Sequence, residues 1–464
     1  MVNKFCQIVF AVFLLLGNVV SGQQIINDSI RAQLEIGIKG FQERFHAPSV
    51  VLAIVHKDNI IFSWASGYTD LENKTPATID SKYQIQSVSK LFTAIATMQL
   101  LEKGVIGLDD DIRKYVPEFT GINRGGRPSG TTFLELSTHT SGLPRNSQAD
   151  IDFAKNVDLW MLTRNDSISL RAATKEDFLK SLRTVSREYP EYEFLPPDTR
   201  QYSNMGYALL GLALERAAKK DFQQLVVEAI CRPLKLSNTG YGTISSKENK
   251  IAQGYYYQSD AEKFVKTPNF YANAIAPAGG MYSTARDLAR FISAQFSNTI
   301  GMLSANSVRR MQTFGIGWQR SYPFVKHEGA MVGFRTEVVL HPKLEVGWVI
   351  LTNTTDFDFS RFNEYVSRLV LPIFADKPVT DPGQFVGTYR LEGGGESIQI
   401  YLKDGKLYST YLEQILQPEP LSFSGNNALK SKGLNGHDVN YNFLSDGNSK
   451  IIILNLNQLM WVKE

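Results

Sequence analysis

Cysteine is almost missing from this chain: Cys6 and Cys231 are the two in 464 residues. If Cys6 leaves with an N-terminal leader, Cys231 stands alone, no intramolecular disulfide can form, and stability must come from core packing. Charge of one sign is missing as well. A net charge of +3, without a dense Lys/Arg run, gives no electrostatic reason for a nucleic-acid partner. At 43% apolar and 20% charged residues, the composition excludes disorder and a multi-span membrane protein. No internal repeat or low-complexity tract stands out. The glycine-rich stretch Ala276 to Met281 lacks the G-K-[ST] ending of a phosphate loop and reads as a turn.

The N-terminus does carry a targeting pattern. Lys4 supplies the charge, Ile8 to Leu16 the apolar core, and Val19 to Gly22 a small-residue end, so residues 1–22 are expected to be a cleaved signal peptide. The alternative is a retained anchor, but the apolar run is short for a span. The expected mature chain is secreted or periplasmic, without a transmembrane segment or lipid anchor.

The remainder divides into a large unit, 24–375, and a small C-terminal β domain, 376–464. A capped helix from Asn27 to about Phe45 carries Ile30, Leu34, Ile38 and Phe41 on one face. Strands Val50 to Val55 and Ile60 to Trp64 flank a hairpin turn at His56 to Asn59. Further β-rich runs are Glu337 to Leu340 and Val346 to Thr352, followed by a helix from about Phe357 to Leu371. After Lys377-Pro378 the pattern changes to short alternating strands and turns.

Ser87-Val88-Ser89-Lys90 precedes an apolar helical run, Leu91 to Leu101. With Ser87 at the first helical turn, Lys90 lies on the same face one turn on, so a nucleophile and a proton acceptor are adjacent. A lysine accepts that proton only if desolvation or nearby positive charge keeps it neutral. The pattern is short enough to arise by chance, so its partners matter. In Tyr202-Ser203-Asn204 an extended backbone would turn the phenol and the amide to one side, although a lone Tyr202 also fits a buried aromatic. His139 reads as a loop-holding histidine, because no spacing ties it to Ser87. Asp109, Asp110 and Asp111 read as helix-start charges before they read as a cation site.

S-x-x-K at Ser87, Y-x-N at Tyr202 and H-x-G at His327, in that order, resemble the serine β-lactamase and penicillin-binding-protein superfamily, in its class C-like branch of esterases and D-aminopeptidases. His139-Thr-Ser-Gly-Leu-Pro144, Tyr202 to Tyr207 and Gly315-Ile-Gly-Trp318 extend the likeness over roughly Asn27 to Ile373. The resemblance implies an α+β, two-layer fold: an antiparallel sheet flanked by helices, with an all-helical subdomain. The C-terminal region looks like a lipocalin-like, barrel-like appendage.

It also implies roles. Ser87 would be the acylated nucleophile, Lys90 its proton partner and Tyr202 the general base; Asn204 would orient Lys90 and the acyl group. The amides of Ser87 and Ala330 would form the oxyanion hole, and His327 and Gly329 would line the substrate site. No metal or organic cofactor is implied, and the partner is a small-molecule or short-peptide substrate. The chain departs from penicillin-recognising members at His327-Glu328-Gly329, where they carry K-T-G, and at Pro197-Asp198, where P-G is usual. If Glu328 faces the cleft it opposes a substrate carboxylate, which favours esters or amides without one; if it faces outward it is silent. A D-amino-acid peptidase, a β-lactamase and a non-catalytic binding protein are the alternatives.

Overall fold

The computed structural model describes residues 25–124, 127–165, 167–188, 201–242, 251–268, 273–296, 302–374, 381–391, 396–411, 420–425, 428–432, 438–445, 451–456 and 459–464. The leader at 1–22, the Pro197-Asp198 pair and the junction near 376 lie outside them.

Asn27 caps α1 (Asp28–Arg44) by accepting the Ile30 N–H at 2.9 Å. Leu34 and Ile38, one turn apart, are its fully buried residues. The hairpin follows as β1 (Ser49–His56) and β2 (Asn59–Asp70). β2 is longer than the expected Ile60 to Trp64 because pairing with β1 continues to Ser49 opposite Gly67. Gly67 has φ of +79°, and a Cβ there would sit 2.0 Å from the Pro48 carbonyl oxygen, so a side chain is excluded.

A two-residue edge, β3 (Thr75–Pro76), precedes the serine turn Gln86–Val88 and α2 (Ser89–Glu102). The helical subdomain includes α3 (Phe133–Thr138), helices over Gln148–Thr163 and Lys175–Glu188, and α4 (Asn204–Ala218). Ala276–Gly279 forms a helical turn, where the sequence reads as a plain glycine-rich turn. Met281–Ser283 is then a short strand, and Thr284 caps α5 (Ala285–Ser293). The chain returns to the sheet as β4 (Gln319–Ser321), β5 (Phe324–Met331), β6 (Phe334–His341) and β7 (Val346–Thr352), and α6 (Phe359–Phe374) follows.

The sheet order is β4-β5-β6-β7-β1-β2-β3, with antiparallel neighbours. Central β1 is apolar on both faces, so helices flank the sheet on both sides. Val51, Ala53 and Val55 enter the larger core with α2 and α5, whereas Val50, Leu52 and Ile54 pack with α1 and α6. Phe41 and Phe362 join the last two helices edge to face at 5.2 Å. Buried Asn353 ties the sheet's end together. Its Oδ1 accepts the Ser49 N–H at 2.8 Å, and its Nδ2 donates to the carbonyls of Tyr68 (3.1 Å) and Gln253 (3.0 Å).

The C-terminal region is an antiparallel sheet of β8 (Gly387–Leu391), β9 (Ser397–Lys403), β10 (Lys406–Ser409), β11 (Ser422–Gly425), β12 (Ala428–Lys432), β13 (Asp438–Ser445), β14 (Ile451–Leu456) and β15 (Leu459–Lys463). Its order is β10-β9-β8-β15-β14-β13-β12-β11. The Leu421 N–H donates to the Leu407 carbonyl at 2.7 Å, which joins the two ends of that order into a closed barrel. Phe385, Tyr389, Leu429, Phe443 and Trp461 pack into its interior.

Candidate active site

α2 is apolar on nearly every face, and Leu91, Phe92, Ala94, Ile95 and Met98 are fully buried. Such a helix has to run through the core, and it carries Lys90 in with it. Ser87 sits one turn earlier, half-buried in the turn that leads into α2, where a substrate can reach it. Gln86 just before it has φ of +48°, a left-handed backbone that a non-glycine residue adopts only when its surroundings hold it there. Ser89 does the holding: its Oγ donates to the Gln86 carbonyl at 2.6 Å and accepts the Met281 N–H at 3.1 Å.

Lys90 Nζ is 3.1 Å from Ser87 Oγ, 2.8 Å from Asn204 Oδ1 and 2.6 Å from the Ala278 carbonyl oxygen. The last two atoms can only accept. A neutral amine spends its two N–H groups on them, and its lone pair is left facing the Ser87 hydroxyl. Burial favours that neutral form. It holds the Lys90 pKa well below the usual lysine range, and the positive charge of Arg145 adds to the effect. Tyr202 also touches Ser87, and its ring centroid is 4.8 Å from Lys90 Nζ. Burial pushes its phenol up to about 12, against the opposing pull of the Ser87 hydrogen bond and Arg145. In the unliganded site the proton therefore stays on Tyr202, and the amine is the more available acceptor.

The Tyr202 segment is extended only as far as Ser203. Ser203 caps α4 by accepting the Gly206 N–H at 2.7 Å, so Asn204 is the first helical residue. Tyr202 and Asn204 nonetheless converge on Lys90. His139 orders this segment: it ends α3 with φ of +62°, its Nδ1 accepts the Ser203 N–H at 3.1 Å, and its ring stands 4.4 Å from that of Tyr202. This is the loop-holding part read from the sequence.

β5 forms the opposite wall. Gly329 faces the serine turn, and a Cβ on it would lie 2.2 Å from the Ile85 carbonyl oxygen. Gly329→Ala is therefore expected to push β5 off the turn, costing about 1–3 kcal/mol of stability and most of the activity; chemical unfolding and a rate assay check both. His327 is buried, its Nδ1 lies 2.9 Å from the Glu328 carbonyl oxygen, and its ring centroid is 6.4 Å from that of Tyr202.

Glu328 does not face the cleft. Successive residues of a strand alternate faces, so it shares the outer face with Phe324 and Lys326. Its Oε1 pairs with Lys326 Nζ at 2.8 Å, and the same amine meets buried Glu337 at 3.0 Å. Its carboxylate therefore cannot oppose an anionic substrate in the cleft, and that reason for excluding carboxylate-bearing substrates falls.

Three contributors were not found from the sequence. Ala278 acts through its carbonyl, which any residue would supply. Arg145 and Asn146 follow directly on the noted His139 to Pro144 stretch. Asn146 Oδ1 accepts from Asn204 Nδ2 at 2.8 Å, and the Arg145 guanidinium lies over the Tyr202 ring at 5.0 Å.

The profile of the Beta-lactamase family matches residues 37–371. Protein flp of Staphylococcus aureus (strain MRSA252) is 26% identical over 366 residues, 75% of this chain and 66% of that protein. Beta-lactamase-like protein 2 of Dictyostelium discoideum is 28% identical over 346 residues, 70% of this chain and 60% of the relative. The matched region thus spans under two thirds of each relative's length. Among solved structures, the octameric penicillin-binding protein homologue from Pyrococcus abyssi superposes with a TM-score of 0.64 at 22% identity, covering 93% of this chain and all of that one. EstCE1, a hydrolase with promiscuous acyltransferase activity, gives 0.60 at 20% identity over 74% of this chain and 98% of its own. At these identities the likeness is one of fold, an α+β sheet flanked by helices. With the profile spanning most of the chain, and Ser87, Lys90 and Tyr202 gathered at one point of that fold, the chain belongs to the Beta-lactamase family.

Proposed function

We propose that this protein is a serine hydrolase that forms an acyl-enzyme on Ser87 and hydrolyses esters or amides. The observation that carries this reading is the Lys90 amine, fully buried, 2.8 and 2.6 Å from the obligate acceptors Asn204 Oδ1 and the Ala278 carbonyl oxygen, and 3.1 Å from Ser87 Oγ. The Ser87 proton passes to Lys90 as Oγ bonds to the acyl carbon. The tetrahedral oxyanion is held by the amides of Ser87 and Ala330, each such donor contributing ~3 kcal/mol. Collapse breaks the bond to the leaving group, which takes a proton delivered through Lys90 and Tyr202. Water then attacks the acyl-serine, giving up a proton to the same pair, and Ser87 is restored. His327 and Gly329 line the substrate site.

A cleaved leader at 1–22, and with it a secreted or periplasmic location, belongs to the same proposal, as does a two-unit chain with its junction near 376. Peptidase action on D-amino-acid peptides and β-lactam hydrolysis use the same chemistry and differ in substrate alone. A pure binding protein would have no use for a desolvated base beside a serine.

Intact mass after exposure to a fluorophosphonate tests the reading, with penicillin and a short-chain nitrophenyl ester run alongside. A single adduct on Ser87 with ester turnover is expected. No adduct and no turnover under any condition would leave a binding protein of the same fold, whereas a stable penicilloyl adduct would move the substrate toward β-lactams.

A further inference from the structure

Arg145 sits at the rim of the cleft, on backbone fixed by the site itself. The Pro144 carbonyl accepts from Ser203 Oγ at 2.6 Å, the Arg145 carbonyl accepts the Asn204 N–H at 2.8 Å, and Asn146 Oδ1 accepts from Asn204 Nδ2 at 2.8 Å. The base of this side chain is therefore held by the residues that hold Lys90. Its guanidinium is solvent-exposed and rests on the Tyr202 ring, 5.0 Å from the centroid.

Some arginines of this chain, such as Arg31, Arg44 and Arg368, lie over aromatic rings away from the Lys90 site, and others meet carboxylates, Arg113 with Asp111, Arg216 with Glu118, Arg286 with Asp80 and Arg390 with Glu464, each at 2.6 Å. Arg145 has no such partner among the described residues, and its contact with Tyr202 leaves the N–H edge of the guanidinium unspent. Glu328, the acidic residue of the third motif, points to the far face of the sheet and is occupied with Lys326. Among the described residues, Arg145 thus leaves the side of the cleft next to Tyr202 positive.

We propose that Arg145 is a specificity residue that anchors an anionic group of the substrate, a carboxylate carried close to the scissile ester or amide bond. This rests on the hydrolase reading above and reverses the preference inferred from the sequence. A planar guanidinium takes a carboxylate through two parallel hydrogen bonds, and a backbone already fixed lowers the ordering cost of doing so. The anion sits on either the acyl group or the leaving group, and substrates separate the two.

Matched pairs read the effect: the p-nitrophenyl monoester of succinic acid against p-nitrophenyl butyrate places the charge on the acyl side, and 4-acetoxybenzoate against phenyl acetate places it on the leaving group. In Arg145→Gln the charged-to-neutral ratio of kcat/KM is expected to fall about fivefold for one pair, further in Arg145→Glu, with partial recovery in Arg145→Lys. Using the ratio cancels any general change in Lys90 basicity. Unchanged ratios for both pairs would overturn the anchor while leaving the hydrolase reading intact. If the native protein turns over neither pair and takes no fluorophosphonate, the hydrolase reading falls. Calorimetric binding of benzoate against benzamide then decides: a preference for benzoate lost in Arg145→Gln supports the anchor, and equal binding in both proteins overturns it.

Discussion

Ser87→Ala is expected to abolish turnover, by at least about 10⁴-fold in kcat/KM, while the thermal midpoint stays within about 2 °C of the native protein. The asymmetry follows from where Ser87 stands. It is half-buried at the head of α2, and its hydroxyl contributes little to the core, whereas among the described residues Ser87 is the hydroxyl that both Lys90 and Tyr202 contact. The fluorophosphonate adduct should vanish with the activity. Hydrolysis that persists in this variant would sink the assignment of Ser87.

Lys90 carries the second large effect, and it separates activity from stability. Lys90→Met removes the proton acceptor and should lower kcat/KM by about 10³- to 10⁴-fold. Lys90→Arg should be equally inactive although it keeps the charge, because a guanidinium does not deprotonate. On the proposed mechanism activity requires the neutral amine, so it is expected to be lost as pH falls through the Lys90 pKa, an acid limb well below the 10.5 of a free lysine. For stability the sign is opposite to that of a salt-bridged lysine. Between the depressed folded value and 10.5 the unfolded chain holds a proton that the native state has given up, so native stability rises with pH across that window. Methionine has no such dependence. The midpoint of Lys90→Met relative to native should therefore be highest on the acid side and decline as pH approaches 10.5, a trend that melting curves across pH would read. A flat difference would mean that Lys90 is not desolvated as described.

Much of this site was legible in the sequence because its signals are local. S-x-x-K puts two groups on one helical face, and the apolar run after it declares a helix that must be buried. The capped helix at Asn27, the hairpin at His56 to Asn59 and the alternation of the C-terminal strands follow from the same short-range rules. What was not legible depends on distance in space. Glu328 is one residue from Gly329, and the face of β5 it takes is settled by Lys326 and Glu337, which no spacing links to Ser87. Ala278 acts through a backbone atom, for which side-chain identity carries no information. Tyr202 and Asn204 were brought to Lys90 by a helix start at Ser203 and by the His139 loop, a different local geometry with the same convergence.

The outermost strands of the two sheets bear on how copies of this protein behave when crowded. The catalytic sheet ends on one side in the two residues of β3, one of them Pro76, and on the other in the three residues of β4. The barrel has spent its own margins on each other through Leu407 and Leu421. Because β3 covers β2 at Tyr68 and Asp70 alone, the outer edge of β2 from Asn59 to Ser66 has no strand partner among the described residues. Strand addition by a neighbouring copy is therefore confined to that stretch of β2, and copies that associate elsewhere should meet through side-chain surfaces.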